Sequence, residues 1–344
     1  MITIDEIRNK IKNSKEYDFL KTEPHLKSKI IFLTLGGSHA YGTSLEKSDI
    51  DLRGCALNSK KELLTNENFE QFVDDDTDTT IYAFNKLINL LCNCNPNCIE
   101  LLGCKPQHYF YVNDIGKELL SNKKLFLSQR AAYSFGGYAN AQLQRLSNKT
   151  VKDREADERE KHILKVINHA KESFSDRYLG FTKDAIELYI DKSYHEDYDA
   201  EIYMDIQLQH YPLRDYKSMW SEMNEIVKQY SKVEKRNKNA IVHGKIAKHM
   251  MHLIRLFIMG IDILEKEEII TYREKEHNLL MDIREGKFLN TEKKPNDSFY
   301  DLVNEYEKRF EYAKQNTSLP KKVNQKEITD FVMSVNERVV RGNV

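Results

Sequence analysis

A chain of 344 residues can bury a sizeable core and has the length of about two domains. Its 53 Lys and Arg nearly balance 54 Asp and Glu, so no overall field directs it to nucleic acid or a membrane surface, and any binding face must be local. Charged residues at 31% beside apolar residues at 40% exclude a largely disordered chain and fit a soluble protein with long solvated helices.

In chain order, Thr3 and Glu6 have the spacing of a helix capping box, and a helix is expected over about 4–20. The same N-terminus lacks the basic-then-apolar order of a secretory leader. Five cysteines, an odd number in a chain this large, suit a reducing compartment, so a cytoplasmic location is expected. The β-branched run 29–35 predicts a strand ending at Gly36-Gly37. Residues 49–57 predict a second strand and 79–84 a third, followed by a helix over 85–93 that Asn95-Pro96 stops. From about residue 126 the apolar spacing is mainly helical, over 131–146, 162–174, 219–230 and 246–264. Between these, 185–212 alternates Tyr and Ile with acids as a short hairpin would. The run 253–264 is broken by Arg255 and Asp262 and is too short to cross a bilayer, so it reads as a buried helix and no membrane partner is expected. The organisation expected is one domain over 1–125 and a mainly helical one over 126–344, with no repeat or low-complexity linker at the boundary.

The chemistry concentrates in Gly36-Gly37-Ser38-His39-Ala40-Tyr41-Gly42-Thr43 and Ser48-Asp49-Ile50-Asp51-Leu52-Arg53-Gly54. Residues two apart on a strand share a face, so Asp49, Asp51 and Arg53 should project together while Ile50 and Leu52 pack behind. Neighbouring carboxylates repel unless a cation lies between them, and oxygen ligands of this kind suit Mg²⁺, with Mn²⁺ able to substitute. Gly36, Gly37 and Ser38 offer unobstructed backbone N–H groups and a hydroxyl to an anion, for which a triphosphate is the natural guest.

These residues resemble the nucleotidyltransferase superfamily of DNA polymerase β: Gly-Ser, then Asp-x-Asp about ten residues on. The finer blocks are Ser38-His39-Ala40-Tyr41-Gly42, Ser48-Asp49-x-Asp51-x-Arg53-Gly54, Asn95-Pro96 with Glu100-Leu101-Leu102, Gly137-Tyr138-Ala139-x-Ala141-Gln142, and Lys248-His249-x-x-His252-Leu253-x-Arg255-Leu256. They are similar to a branch of predicted nucleotidyltransferases associated with bacterial RNA-repair operons, over about residues 31–286. The resemblance implies an α+β fold, with a mixed-sheet catalytic domain followed by a mainly helical domain like that of poly(A) polymerases. It implies transfer of a nucleoside monophosphate from an NTP to a hydroxyl, on an RNA or tRNA end or, as in antitoxin-type AMP transfer, on a protein; the alternative is a non-catalytic nucleotide- or nucleic-acid-binding module that keeps the scaffold. By position, Asp49 and Asp51 would hold the metal, and a third carboxylate is expected from a neighbouring strand: Asp78, with Asp76 as the fallback. Gly37, Ser38, Tyr41 and Arg53 would meet the nucleotide, Ser38 at its β- and γ-phosphates, and Lys248, His252 and Arg255 would face it from the helical domain.

Other motifs carry less. Gly36-x-Ser38-x-Ala40 lacks the second glycine of a hydrolase nucleophile elbow, and the chain has no Walker A loop. Cys92, Cys94, Cys98 and Cys104 lack paired Cys-x-x-Cys spacing and read as buried free thiols. His249 and His252 lie three apart without the glutamate of a zinc protease helix. The segment 228–248 holds Lys228, Lys232, Lys235, Arg236, Lys238, Lys245 and Lys248 against the single acid Glu234. It is either a solvated helix face or a lining for triphosphate or an RNA end.

Overall fold

The β-branched run forms a strand, β1 (Ile30–Leu35), buried along nearly its whole length. In the computed structural model the described residues are 2–151, 163–168, 171, 174–178, 180–192, 200–225, 246–291 and 293–344. The chain divides into one unit of Met1–Gln142 with Met250–Val344 and another of Leu143–His249. Residues 126–142 and 250–344, expected to belong to the helical part, thus share a unit with the sheet.

In the first unit, α1 (Ile4–Asn13) starts at the Thr3 capping box, in which Thr3 and Glu6 bond reciprocally. It stops at extended Ser14 instead of reaching residue 20; a 3₁₀ turn at Lys15–Tyr17 and a short turn of helix at Phe19–Thr22 follow. After β1 come α2 (Gly37–Tyr41), β2 (Leu52–Ala56), β3 (Gln71–Asp74), β4 (Thr79–Ala83), α3 (Phe84–Cys92), β5 (Tyr109–Val112) and α4 (Asp114–Ser121). The sheet order is β3-β4-β2-β1-β5. β1 lies antiparallel to β2 and β5, β2 parallel to β4, and β4 antiparallel to β3, so the sheet is mixed as expected. β3 and β5, at the two edges, were not signalled in the sequence, because four half-exposed residues are too few to show a period.

Ile7, Tyr17 and Leu26 pack with Leu33, Leu35, Leu52 and Ile81 in one core, which fixes the ends of β1 and β2 beside each other. The unit continues with α5 (Arg130–Val151) as far as Gln142, with α6 (Ile246–Lys266) from Met250, and with α7 (His277–Arg284), α8 (Asp297–Asn316) and α9 (Gln325–Arg341). From Met250 to Leu264, α6 is buried nearly all round, as the apolar run predicts, and takes Arg255 and Asp262 inside with it. Among the described residues no helix is long and apolar enough to cross a membrane.

The second unit contains the hairpin expected in 185–212, formed by β6 (Ile186–Lys192) and β7 (Ala200–Ile206) with Tyr189 opposite Tyr203. Its core gathers Ile163, Ile167, Phe174, Ile186, Met219 and Met223. The helices expected over 162–174 and 219–230 lie partly outside the described residues.

Candidate active site

The Gly-Gly-Ser segment is the start of a helix instead of an open loop: β1 runs through Gly36, the N-cap, into α2. Gly37 has φ +54°, a left-handed conformation that glycine adopts without penalty. A Cβ there would fall 1.8 Å from Asp51 Oδ2, so the carboxylate lies directly on the bare backbone of Gly37. A Cβ on Gly36 would meet Arg53 Cγ at 2.8 Å, so the next side chain on that face covers the next glycine. The two glycines thus provide room for Asp51 and Arg53. Ser38 and Tyr41 are buried within α2, and the Ser38 carbonyl accepts the Thr43 N–H at 2.9 Å, closing the turn.

Asp51 precedes the strand: β2 begins at Leu52, and the Asp51 carbonyl accepts from Gly36 N–H at 2.8 Å, one step beyond the β1–β2 ladder. The expected common face holds for Asp51 and Arg53, whose Oδ1 and Nη2 are 3.6 Å apart. Asp49 is not on the strand; it is exposed on the loop before it. Asp78 occupies a left-handed turn, φ +45°, at the head of β4, where its carbonyl accepts from Leu52 N–H. Arg53 reaches this turn, its Nη2 donating to Asp78 Oδ1 at 3.0 Å and its Nη1 to the Asp78 carbonyl. Exposures of 18% for Asp51, 22% for Arg53 and 53% for Asp78 describe a cluster open on the Asp78 side. Asp76 is exposed in the preceding turn, so of the two candidates Asp78 is the one that meets Arg53. Among the described residues no group of three or more His, Cys, Asp or Glu is gathered closely enough to hold a metal ion.

Tyr41 and Arg255, expected at the nucleotide, meet one another inside the first unit. Arg255 is 0% exposed, its Nη1 donates to Glu100 Oε2 at 2.8 Å, and its guanidinium lies 3.7 Å from the centre of the Tyr41 ring. The Tyr41 hydroxyl donates to Glu100 Oε1 at 2.8 Å. Burial pushes the Tyr41 hydroxyl well above its ordinary pKa. Burial also works against the Arg255 charge, and Tyr41 and Glu100 outweigh it, leaving Arg255 raised. His252 Nδ1 lies 3.0 Å from Arg255 Nη2. These side chains tie α2, α6 and the turn at Glu100 together from inside the first unit. Thr271 strengthens that tie by donating to the Glu100 carbonyl, and Arg273 N–H donates to the Tyr41 carbonyl at 3.3 Å.

Lys248 belongs to the second unit, and Lys228, Lys232, Lys235, Arg236, Lys238 and Lys245 lie outside the described residues. The five cysteines are free. Asn95 caps the Pro96–Ile99 turn through Asn97 N–H at 3.0 Å and donates to the Tyr138 hydroxyl at 3.2 Å, so it fixes local structure as its sequence context suggests.

A further cation, Arg284, was not singled out from the sequence. It donates to the Ser48 hydroxyl at 3.3 Å across 236 residues, a separation over which no spacing rule operates. His39, between Ser38 and Ala40, has Nε2 3.4 Å from the Ser48 carbonyl, and burial lowers its pKa below the ordinary 6.5.

The first unit is an α+β domain in which β1 runs into a Gly-Ser helix start and β2 follows an acidic approach, the layout of a polymerase β-like domain. The chain belongs to the RNA repair pathway DNA polymerase beta family, RlaP, whose model matches residues 9–334. No curated protein and no solved structure matches it.

Proposed function

We propose that the protein is a Mg²⁺-dependent nucleotidyltransferase that moves a nucleoside monophosphate from an NTP to a hydroxyl at an RNA end, releasing pyrophosphate. The observation that carries this reading is the Asp51 carboxylate laid on Gly37 next to Ser38, which brings an acidic group to the glycine-rich start of α2. Membership of an RNA-repair family supports the acceptor.

Asp49 and Asp51 offer hard oxygens, and Mg²⁺ is commonly held by one or two carboxylates with water and substrate phosphates completing its octahedron. When bound, the ion supplies charge neutralisation at the phosphates and activation of the attacking oxygen. The chain's own groups do the rest. Arg53 links Asp51 to Asp78 and so keeps the Asp51 carboxylate turned toward Gly37. Ser38 and the Gly37 backbone position the β- and γ-phosphates. The acceptor oxygen forms its bond to the α-phosphorus as the bond to pyrophosphate breaks, and Asp78, the most open of the cluster, takes the hydroxyl proton.

The test is pyrophosphate release from each of the four NTPs with Mg²⁺ or Mn²⁺, offered RNA, DNA and protein acceptors and read by mass. The D49A/D51A double variant should lose metal-dependent release; unchanged turnover in that variant rejects the mechanism, and a mass increase found only on protein rejects the RNA acceptor.

A further inference from the structure

Arg255 and Arg273 are buried in the first unit and Arg284 is half-buried there, and among the described residues Arg284 forms no ion pair. Arg255 pairs with Glu100 and Arg273 with Asp262. Arg284, the last residue of α7, has its Nε and Nη1 buried with no hydrogen-bond partner. Its remaining contact is the 3.3 Å bond to Ser48 Oγ, an oxygen that already accepts Leu45 N–H at 2.8 Å. Burial lowers the Arg284 pKa below its ordinary value.

A guanidinium taken out of water without an anion is destabilising unless a ligand completes it. Its planar edge of two N–H groups matches two oxygens of one phosphate better than any other common anion except a carboxylate. Its place narrows the choice. Ser48 directly precedes Asp49, and the Ser48 carbonyl is the neighbour of His39, the residue after Ser38. His39 feels the charges of both Arg284 and Asp49, which puts the three in one electrostatic neighbourhood.

We propose that Arg284 is a phosphate-binding residue, its guanidinium receiving non-bridging oxygens of a phosphate brought to the Ser38–Asp49 site, with the long bond from Nη2 to Ser48 exchanged or shared on binding. This rests on the nucleotidyltransferase reading for its choice of anion. The phosphate belongs either to the tail of the NTP or to the end of the RNA acceptor, and the two are separated by the probe.

Calorimetry in EDTA with inorganic tripolyphosphate, and separately with a 5′-phosphorylated RNA oligonucleotide, measures anion binding without metal or turnover. R284M should weaken at least one probe about tenfold, the loss expected for a charge-assisted hydrogen bond, with R284K intermediate. The probe affected names the source of the phosphate. Because R284M also removes a half-buried charge with two unpartnered N–H-bearing nitrogens, its ligand-free Tm should equal or exceed that of the parent. Affinities within about twofold of the parent for both probes, no binding of either by the parent, or a ligand-free Tm lowered in both R284M and R284K would overturn the proposal in favour of a structural arginine. The D49A/D51A variant should still bind the probe through Arg284. If it does while the parent shows no NMP transfer, the phosphate site stands and the transferase reading fails.

Discussion

Replacing Arg255 by alanine leaves Glu100 buried beside an empty space. Glu100 is 5% exposed and would keep the Tyr41 hydroxyl as a partner for Oε1 while losing the 2.8 Å cationic partner of Oε2. Removing one member of a buried ion pair costs about 3–5 kcal/mol, because the other charge stays desolvated. Loss of a desolvated cation–π contact with the Tyr41 ring, 3.7 Å away, is worth about 2 kcal/mol and overlaps with that figure instead of adding to it. We therefore expect R255A to lose about 4 kcal/mol in urea denaturation followed by circular dichroism. The R255M/E100L double variant, which removes both charges and keeps the volume, should recover most of that loss. A double variant as unstable as the sum of its singles, or R255A within about 1 kcal/mol of the parent, would refute the account. A second readout separates structure from substrate contact: R255M/E100L should keep its affinity for ATP, whereas a phosphate-binding Arg255 would lose it.

Gly37→Ala should place a methyl where Asp51 Oδ2 now lies and force a left-handed alanine, costing about 1–2 kcal/mol in backbone strain and about 100-fold in turnover through displacement of the carboxylate. Gly137→Ala, in a helix where nothing lies within 4 Å of the added carbon, is the control and should be neutral or stabilising by up to about 1 kcal/mol; equal activity in the two variants would contradict the packing of Asp51 on Gly37. Burial lowers the pKa of His108 and of His39 below 6.5, so each stays neutral in the folded chain where the unfolded chain binds a proton. Stability from these groups is whole above pH 6.5 and declines as pH falls below it toward their folded values, so His108→Gln should show a smaller loss between about pH 7.5 and 5.5 than the parent; parallel pH profiles in urea would count against it.

Local signals in the sequence were sufficient for the elements whose cause is local. Thr3 and Glu6 bond as a capping box, the β-branched run makes β1, α3 stops at Cys92 shortly before Asn95-Pro96 starts the next turn, and the alternating Tyr and Ile residues pair in β6 and β7. The common face of Asp51 and Arg53 followed from the two-residue period alone. The period could not show where strand pairing begins, and that is why Asp49 and Asp51 fall before β2: the ladder with β1 fixes its start at Leu52.

The arginines show the remaining difference most clearly. Sequence placed Arg255 on a helix face with His252, and that helix exists. Whether such a charge faces solvent, substrate or a buried acid depends on a partner 155 residues away at Glu100, and for Arg284 on one 236 residues away at Ser48. By itself, the sequence determined the strand and helix segments, the acidic approach to β2 and the glycine-rich start of α2, because hydrogen bonding and side-chain period act over a few residues. Tertiary structure alone decided that Asp51 rests on Gly37, that Arg53 bridges Asp51 and Asp78, that Arg255 is spent on Glu100 and that Arg284 is left uncompensated. Charge pairing and desolvation are set by which distant side chains the packed core brings within a few ångströms.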